Sequence, residues 1–172
     1  MEPVIVVGGM SWTIHEDELD WTETRRGETR FRRKQLTAAT AAERLGASLY
    51  ELPPGSRSWP FHFHTGNEEA IYALSGTGTV RFTDEEASLE PGTFVSLPAG
   101  ERGGHRVVNT GTEPLRYLCV STMRDPDVTV YPESEKLGVF AGAPPGGDAD
   151  ARTVDGYYPL DESVDYWEGE ER

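Results

Sequence analysis

From Ala47 to Met123 the chain is a series of short segments in which apolar and polar positions alternate. The segments read SLYEL, FHF, AIYAL, TVRF, TFVSL, HRVVN and RYLCVST. Stretches rich in Gly, Pro, Asn and Asp separate them about every ten residues, which is typical of an all-β sandwich or barrel. No amphipathic stretch of helical length interrupts the series, so a fold of alternating strands and helices is not expected.

The two ends of the chain have a different pattern. Residues 1–34 mix charges with isolated aromatic residues and predict an N-terminal arm that contains a single strand. The alanine-rich stretch 37–46 is compatible with a short helix closed by glycine or with a loop of small residues. We therefore place a barrel at residues 35–125 and a C-terminal extension at residues 126–172. Aromatic residues near the end of this extension favour packing against the barrel or a dimer partner over a disordered acidic tail.

Composition narrows the chemistry that the chain can carry. Its 172 residues suit one domain with a core of its own. A single cysteine, Cys119, excludes an internal disulfide framework and a cysteine-rich zinc site, so a metal site has to use nitrogen and oxygen ligands. The first ten residues lack a positively charged start and a long apolar run, and we therefore expect a cytoplasmic protein.

The charge of the chain bears on its partners. Thirty acidic residues stand against sixteen basic ones, which gives a formal net charge of -14 at pH 7. Such a surface repels nucleic acids and anionic membranes, so neither is expected as a partner. An acidic surface also suits a protein that works in concentrated salt, a hypothesis that unfolding in low and molar salt would test.

The candidate chemistry lies at residues 62–69, which read HFHTGNEE and hold two of the four histidines. Residues i and i+2 of a strand project from one face, so His62 and His64 point together. The turn that follows reverses the chain, and Glu69 opens the next strand, where its carboxylate can reach the same point. Imidazole and carboxylate together suit Mn, Fe, Ni, Cu or Zn. The alternative is a polar hairpin face that is exposed to solvent.

Two stretches of the chain resemble the two signature motifs of the cupin superfamily. The first motif contains Gly55, His62, His64, Glu69 and Gly76, and the second contains Gly92, Pro98, Gly100, His105 and Asn109. All of these landmarks are present in the order of the family pattern, which makes the resemblance specific. One extra residue precedes His62 and two precede His105. Gly103 and Gly104 lie in the longer loop and give it conformational freedom.

The resemblance covers residues 47–123 and implies a double-stranded β-helix, a small jelly-roll barrel, with one divalent transition metal in its mouth. The metal ligands that it implies are His62, His64, Glu69 and His105. The spacing of the first motif favours Glu69 over the neighbouring Glu68, which is expected to be solvated. For His105 the alternative is a histidine that is hydrogen-bonded to loop carbonyls. A single motif pair implies a single-domain cupin, and such proteins often form homodimers.

The resemblance defines the activity less closely than it defines the metal ligands. Four protein ligands leave about two coordination positions on an octahedral ion, enough for a bidentate substrate. We expect isomerase, lyase or decarboxylase chemistry on a small oxygenated anion, such as a keto sugar or a hydroxy or keto acid. Related small cupins carry the label of sugar-phosphate isomerase. The alternatives are an iron- or copper-dependent dioxygenase and a cupin that binds a small ligand without turning it over.

Other residues whose side chains could be reactive or bind a ligand are mostly assigned structural roles. His15 lies outside every strand segment and is expected at the surface. Cys119 lies in an apolar segment and is expected to be a buried, unreactive thiol that can line the pocket. Most arginines near the motifs are expected to pair with surface acids, and strand parity points Arg106 outward. Four aromatic residues are candidates to line the mouth, although aromatic residues on strands belong more often to a core or an interface: Tyr50, Trp59, Tyr72 and Tyr117.

Overall fold

A computed structural model describes residues 6–7 and 10–170 of the chain, and its regular structure consists of strands and short turns. The strands are β1 (Val6–Val7), β2 (Met10–Ser11), β3 (Thr22–Arg26), β4 (Thr29–Gln35), β5 (Leu45–Leu52), β6 (Phe63–His64), β7 (Glu69–Ser75), β8 (Gly78–Arg81), β9 (Glu86–Leu89), β10 (Phe94–Leu97), β11 (Arg106–Val108), β12 (Leu115–Thr122), β13 (Asp127–Tyr131), β14 (Lys136–Ala141) and β15 (Val154–Pro159). Single 3-10 turns occur at Glu16–Glu18, Thr37–Ala39, Glu101–Gly103, Pro132–Ser134 and Ala149–Ala151. No α-helix occurs within the described residues, which confirms the all-β prediction.

Two layers of antiparallel strands form the body of the molecule. One layer is a six-stranded sheet in the order β10-β7-β12-β5-β4-β3. The other layer combines a three-stranded sheet, β11-β8-β9, with a four-stranded sheet, β15-β14-β13-β6. His62 and His105 join these two sheets, since each donates its backbone N–H to the carbonyl of the other, at 3.2 and 2.9 Å. The second layer is therefore continuous across two of the candidate ligands.

The inward side chains of both layers form one apolar core. In β7, for example, Ile71 and Ala73 are buried, whereas Tyr72 and Leu74 are exposed on the other face. The largest fully buried apolar side chains of the core are Phe31, Leu52, Ile71, Val80, Leu89, Leu97, Val107 and Leu115. Each such side chain contributes about 1.5–3 kcal/mol through its burial. The arrangement agrees with the jelly roll expected from the motifs.

The N-terminal region adds more to the main sheet than the single strand expected from the sequence. β3 and β4 form a hairpin, and β4 pairs with β5 of the six-stranded sheet. Phe31 in β4 is only 1% exposed and belongs to the core. The basic residues around it, in the stretch TRFRRKQ, conceal this alternation in the sequence. The stretch 37–46 contains one 3-10 turn and then enters β5 at Leu45.

The C-terminal strands extend the second layer outward from β6. β13 pairs with β6 through the contacts of Thr129 with His64 and of Val130 with Phe63. β14 and β15 follow as further antiparallel neighbours. Beyond β15 the chain is exposed up to the last described residue. Within the described ranges, none of the helices has the length and apolar character that a membrane crossing requires.

Candidate metal centre

Three of the four histidines lie together on the inner side of the second layer. The antiparallel bridge between His62 and His105 brings their ring centroids to 4.8 Å. The ring of His64, two residues after His62, lies 5.2 Å from the His62 ring. Each of the three is 9% exposed or less, so the polar rings are withdrawn from solvent. A polar hairpin face exposed to solvent, the alternative left by the sequence, is therefore absent here.

Glu69 reaches these histidines from the opposite layer, where it is the first residue of β7. Its Oε2 atom lies 3.4 Å from His105 Nε2 and 3.7 Å from His64 Nε2. The ligand atoms of His62, Glu69 and His105 all lie within 4.8 Å of one another, close enough to share one ion. His64 is connected to this compact group through Glu69 and does not itself meet the same mutual limit. Glu68 is exposed, as expected.

The second ring nitrogen of each histidine has an acceptor of its own. His62 Nδ1 lies 2.8 Å from the Pro60 carbonyl, and His105 Nδ1 lies 2.9 Å from the Gly103 carbonyl. His64 Nδ1 lies 2.5 Å from a carboxylate oxygen of β13. An acceptor at Nδ1 holds the ring proton there and leaves the Nε2 lone pair free. All three rings are thus prepared to bind a cation through Nε2.

Electrostatics divides the three histidines into two kinds. Burial lowers the pKa of His62 and of His105, and the neighbouring histidines lower both pKa values further. Burial also acts to lower the pKa of His64. There the hydrogen bond to Asp127 and the charge of Glu69 outweigh burial and raise the pKa. His62 and His105 are therefore neutral imidazoles, the form in which histidine binds metals.

Glu69 provides the test of whether a cation fits here. Its Oε2 atom is buried and has no hydrogen-bond partner among the residues that the structure describes. A buried carboxylate oxygen that lacks a hydrogen-bond or ion partner destabilises the folded protein. A divalent ion bound to the nearby Nε2 atoms would supply that partner, and the donor set of nitrogen and oxygen suits a transition metal. The residues present therefore fit the implied ion.

Comparison with known proteins decides the family. Residues 48–121 match the family model of the cupin domain. An L-ectoine synthase from Mycolicibacterium gilvum is 31% identical over 129 residues, which cover 74% of this chain and 92% of that protein. The chain belongs to the cupin superfamily.

Two other similarities extend this assignment. An uncharacterized protein from Methanocaldococcus jannaschii is 31% identical to the cupin over 70 residues, which span only 54% of that protein. A crystal structure from Acidithiobacillus ferrooxidans, of a protein provisionally described as a sugar phosphate isomerase, has a TM-score of 0.71 and 25% identity. The structural alignment covers 86% of this chain and 90% of the Acidithiobacillus ferrooxidans chain. The similarity in fold therefore extends well beyond the two motifs.

A residue outside both motifs orients His64 in this cupin. Asp127 is 1% exposed and accepts hydrogen bonds at both carboxylate oxygens, from His64 and from the Gly66 N–H. The Thr129 hydroxyl lies 3.2 Å from His64 Nδ1. Burial acts to raise the pKa of Asp127, but the hydrogen bond and charge of His64 outweigh it and the pKa is lowered. Sequence reasoning missed Asp127, although the alternating stretch DVTV carried a signal.

The longer loop before His105 is accommodated by one 3-10 turn. Gly100 has a φ of +88°, in the region that favours glycine, and its N–H donates to the His64 carbonyl at 2.8 Å. The extra residues form the turn Glu101–Gly103, closed by the Gly103 N–H on the Gly100 carbonyl at 2.9 Å. The chain then enters the bridge to His62 without displacing His105. The loop carbonyl of Gly103 does bond to His105, but only through Nδ1.

Other residues follow the sequence analysis in most cases. His15 has a 71% exposed side chain and lies outside the cluster. Arg106 donates to the Thr29 hydroxyl and is not among the described residues that line the cavity. Three arginines near the motifs are paired with acids: Arg57 with Glu28, Arg81 with Glu133 and Arg116 with Glu16.

The candidate ligands line a cavity of about 220 Å³ between the layers. Tyr50, Trp59 and Tyr117 line it, as expected from the sequence. Tyr72 does not, since it alternates with buried Ile71 and is 42% exposed on the outer face. That prediction was wrong, because Tyr72 is three residues from the inward-facing Glu69 and an odd offset along a strand leads to the opposite face.

Two cavity residues lie close to the cluster. The Cys119 thiol lies 3.7 Å from Glu69 Oε1, and burial together with the Glu69 charge raises its pKa well above the usual range. The thiol therefore stays protonated, in agreement with the unreactive thiol expected from the sequence. Tyr131 was not anticipated. Its ring stacks on His62 with centroids 5.8 Å apart and brings a phenol to the cavity wall.

Proposed function

We propose that this cupin is a metal-dependent enzyme that acts on a small oxygenated anion by isomerase, lyase or decarboxylase chemistry. The observation that carries the proposal is the cluster of His62, His105 and Glu69, with His64 beside it, at the wall of a cavity. The buried, unpartnered Oε2 of Glu69 supports a cation at this point. A keto sugar or a hydroxy or keto acid has the oxygen atoms that such a centre would bind.

The ligand set determines the chemistry that an ion would supply. Three imidazoles, each neutral once its Nε2 atom binds the ion, and one carboxylate suit Mn, Fe, Ni, Zn or Cu and leave a net charge of about +1 on a divalent ion. An ion held there supplies a Lewis acid for a carbonyl oxygen of the substrate. The three rings are buried, so the centre lies in surroundings of lower effective dielectric constant than bulk water. The electrostatic effect of the centre is therefore weakly screened.

The chain's own side chains would orient the substrate against this centre. Tyr131 lines the cavity beside His62, and its phenol is a hydrogen-bond donor at neutral pH. The rings of Tyr50 and Tyr117 stack at 5.1 Å and form an apolar wall. A substrate that carries both oxygen atoms and a short carbon skeleton would use both features. The similarity to the Acidithiobacillus ferrooxidans protein supports the isomerase branch.

The test begins with the metal. Protein purified without added metal is expected to contain about one transition-metal ion per chain by elemental analysis. The same preparation is then incubated with sugar phosphates, hydroxy acids and keto acids, and products are followed by NMR. A variant that lacks both His62 and His64 is the matched negative control, and oxygen consumption identifies a dioxygenase. A metal-loaded protein that converts no member of the panel would favour a ligand-binding cupin and contradict the proposal.

L-ectoine synthesis is a second candidate, favoured by one observation. The match to the Mycolicibacterium gilvum L-ectoine synthase covers 92% of that protein, nearly its whole length. An enzyme that forms L-ectoine must also bind it as the product. Saturable binding of L-ectoine in a calorimetric titration would support this candidate, and its absence with metal-loaded protein would exclude it.

A further inference from the structure

Two cationic side chains line the cavity within the described part of the chain, and they differ in their partners. Arg152 donates to Asp155 at 2.8 Å and to the Ala143 carbonyl at 3.1 Å. Arg33, in β4, is half-buried, and no described carboxylate lies within 4.0 Å of its guanidinium. The charge of Arg152 is therefore already neutralised, whereas that of Arg33 faces the cavity without a counter-ion.

The missing counter-ion sets Arg33 apart from the other two arginines of β4. Arg30 lies 3.7 Å from Glu23. Arg32 lies 2.7 Å from Glu51. Acidic residues outnumber basic ones by 30 to 16 in this chain, so acids for pairing are abundant. A partly buried cation without an anion costs free energy, and a bound anionic ligand would remove that cost.

The position of Arg33 relates it to the metal cluster. It shares the inner face of β4 with Phe31, two residues earlier, and pairs with Tyr50 of β5. Tyr50 in turn pairs with Tyr117 of β12, and β7 with Glu69 is the next strand. Three strand spacings, about 14 Å, separate Arg33 from β7. In this row Tyr117 pairs with Ala73, and Glu69 lies four residues from Ala73, about 13 Å along the strand. Both side chains line one cavity, so a ligand that spans this cavity can contact both.

The aromatic surroundings of Arg33 also suit a planar ligand group. Its Cζ atom lies 6.0 Å from the centroid of the Trp59 ring. Trp59 Nε1 donates to the Tyr50 hydroxyl at 3.1 Å, which fixes the indole beside the cavity. Burial raises the pKa of Tyr50 to about 12 although the nearby Arg33 charge opposes the rise, so the phenol stays neutral. The two aromatic groups beside the guanidinium are therefore neutral and supply no counter-ion.

We propose that Arg33 binds the carboxylate or phosphate group of the substrate, while the opposite end of the same molecule reaches the metal cluster. The planar guanidinium presents paired N–H donors that match two oxygens of either group. The substrate class then narrows to short-chain oxyanions that bear a second oxygen function at the far end. The inference deepens the proposed function and rests on it, since it assigns both ends of one cavity to one substrate.

The experiment compares anion binding by full-length variants. Inorganic phosphate and malonate are the two probes, each titrated by calorimetry into protein as purified and again after EDTA treatment. The variants are Arg33→Gln, which removes the charge, and Arg33→Lys, which keeps the charge and loses the planar pair of N–H donors. Arg30→Gln is the matched control, because this arginine lies on the opposite face of the same strand and pairs with Glu23.

The expected result is saturable binding of one probe by wild-type protein, weakened roughly 10- to 100-fold in Arg33→Gln. Arg33→Lys is expected to fall between the two, and Arg30→Gln to match wild type. Preference for phosphate or malonate identifies the oxyanion. Equal affinities of wild type and Arg33→Gln, or no saturable binding of either probe, would overturn the inference. Where Arg33→Gln does not fold by circular dichroism, Arg33→Lys decides.

Metal content separates this inference from the proposed function. Arg33 lies outside the cluster, so Arg33→Gln is expected to retain the metal content of wild type. Loss of anion binding with full metal content supports the role of Arg33. If wild-type protein binds malonate through Arg33 but contains no metal, the proposed function is contradicted and the anion site at Arg33 is still supported. An Arg33 variant that loses its metal would show instead that the cluster depends on Arg33.

Discussion

His62 and His105 are oriented by their own loops, whereas His64 is oriented by a distant strand. The Nδ1 atoms of the first two face backbone carbonyls only two residues earlier in the chain. The Nδ1 atom of His64 faces Asp127, 63 residues later. Local chain geometry therefore fixes two of the rings, and the third depends on the pairing of β6 with β13.

This difference determines how each ring responds to mutation. Every residue offers a carbonyl, so a side-chain replacement preserves the acceptor of His62 or His105 unless it moves the backbone. The acceptor of His64 is a side chain, and a single substitution removes it. The same contrast explains the pKa directions, because carbonyl acceptors leave burial dominant whereas a carboxylate reverses it for His64.

Replacement of a metal ligand is expected to have the largest effect. It tests whether His62 and His64 bind the same ion. His62→Ala or His64→Ala is expected to reduce metal affinity by more than the ~10–100-fold that follows loss of an outer partner. Elemental analysis of the purified variants measures this. His15→Ala is the control and should keep its metal, because His15 is exposed and outside the cluster. Full occupancy in the His62/His64 double variant would contradict a shared site.

Gly103→Ala disturbs the locally oriented ring by moving its backbone acceptor. A Cβ atom at Gly103 would collide with the Pro98 carbonyl oxygen, so the loop and the carbonyl that orients His105 must shift. We expect a loss of about 1–3 kcal/mol in the free energy of unfolding, measured with denaturant, and weaker metal binding. Gly111→Ala is the control, since a Cβ atom there would also be too close to a backbone carbonyl, that of Thr77 at 2.8 Å, but its close contacts do not include a candidate ligand. Unchanged metal affinity in Gly103→Ala would show that the carbonyl does not orient His105.

The same contrast marks what the sequence could predict. Alternation and motif spacing are local, so the strands from β5 to β12 and the shared face of His62 and His64 were accessible. The position of Asp127 depends on β13 lying beside β6, and that of Arg33 depends on β4 joining β5. Alternation in DVTV marks a strand, but neither stretch shows which strand will lie beside it. In β4 the charged neighbours of Phe31 also hide the alternation that would have marked an inner face.

Asp127→Ala tests the ring that is oriented from a distance. Without the carboxylate, His64 loses the acceptor at Nδ1 and its tautomer is no longer fixed. Metal affinity, measured by competition with a chelator, is expected to fall about 10- to 100-fold. Asp127→Asn should lose less, because its amide oxygen can still accept from Nδ1. Asp125→Ala, a change at an exposed acid two residues earlier, is the control. Equal affinity in Asp127→Ala and wild type would mean that His64 needs no distant support.

Thr129→Val is expected to have the smallest effect. The hydroxyl touches both His64 Nδ1, at 3.2 Å, and Asp127 Oδ2, at 3.4 Å, but both groups keep their mutual bond when it is removed. Valine has nearly the same shape, so the buried site loses one weak hydrogen bond and no packing. We expect a loss of about 1 kcal/mol in the free energy of unfolding and a change in metal affinity within about threefold. Denaturant unfolding and chelator competition on one preparation measure both quantities. If Thr129→Val lowered metal affinity as much as Asp127→Ala does, the orientation of His64 would depend on the hydroxyl and not on the carboxylate alone.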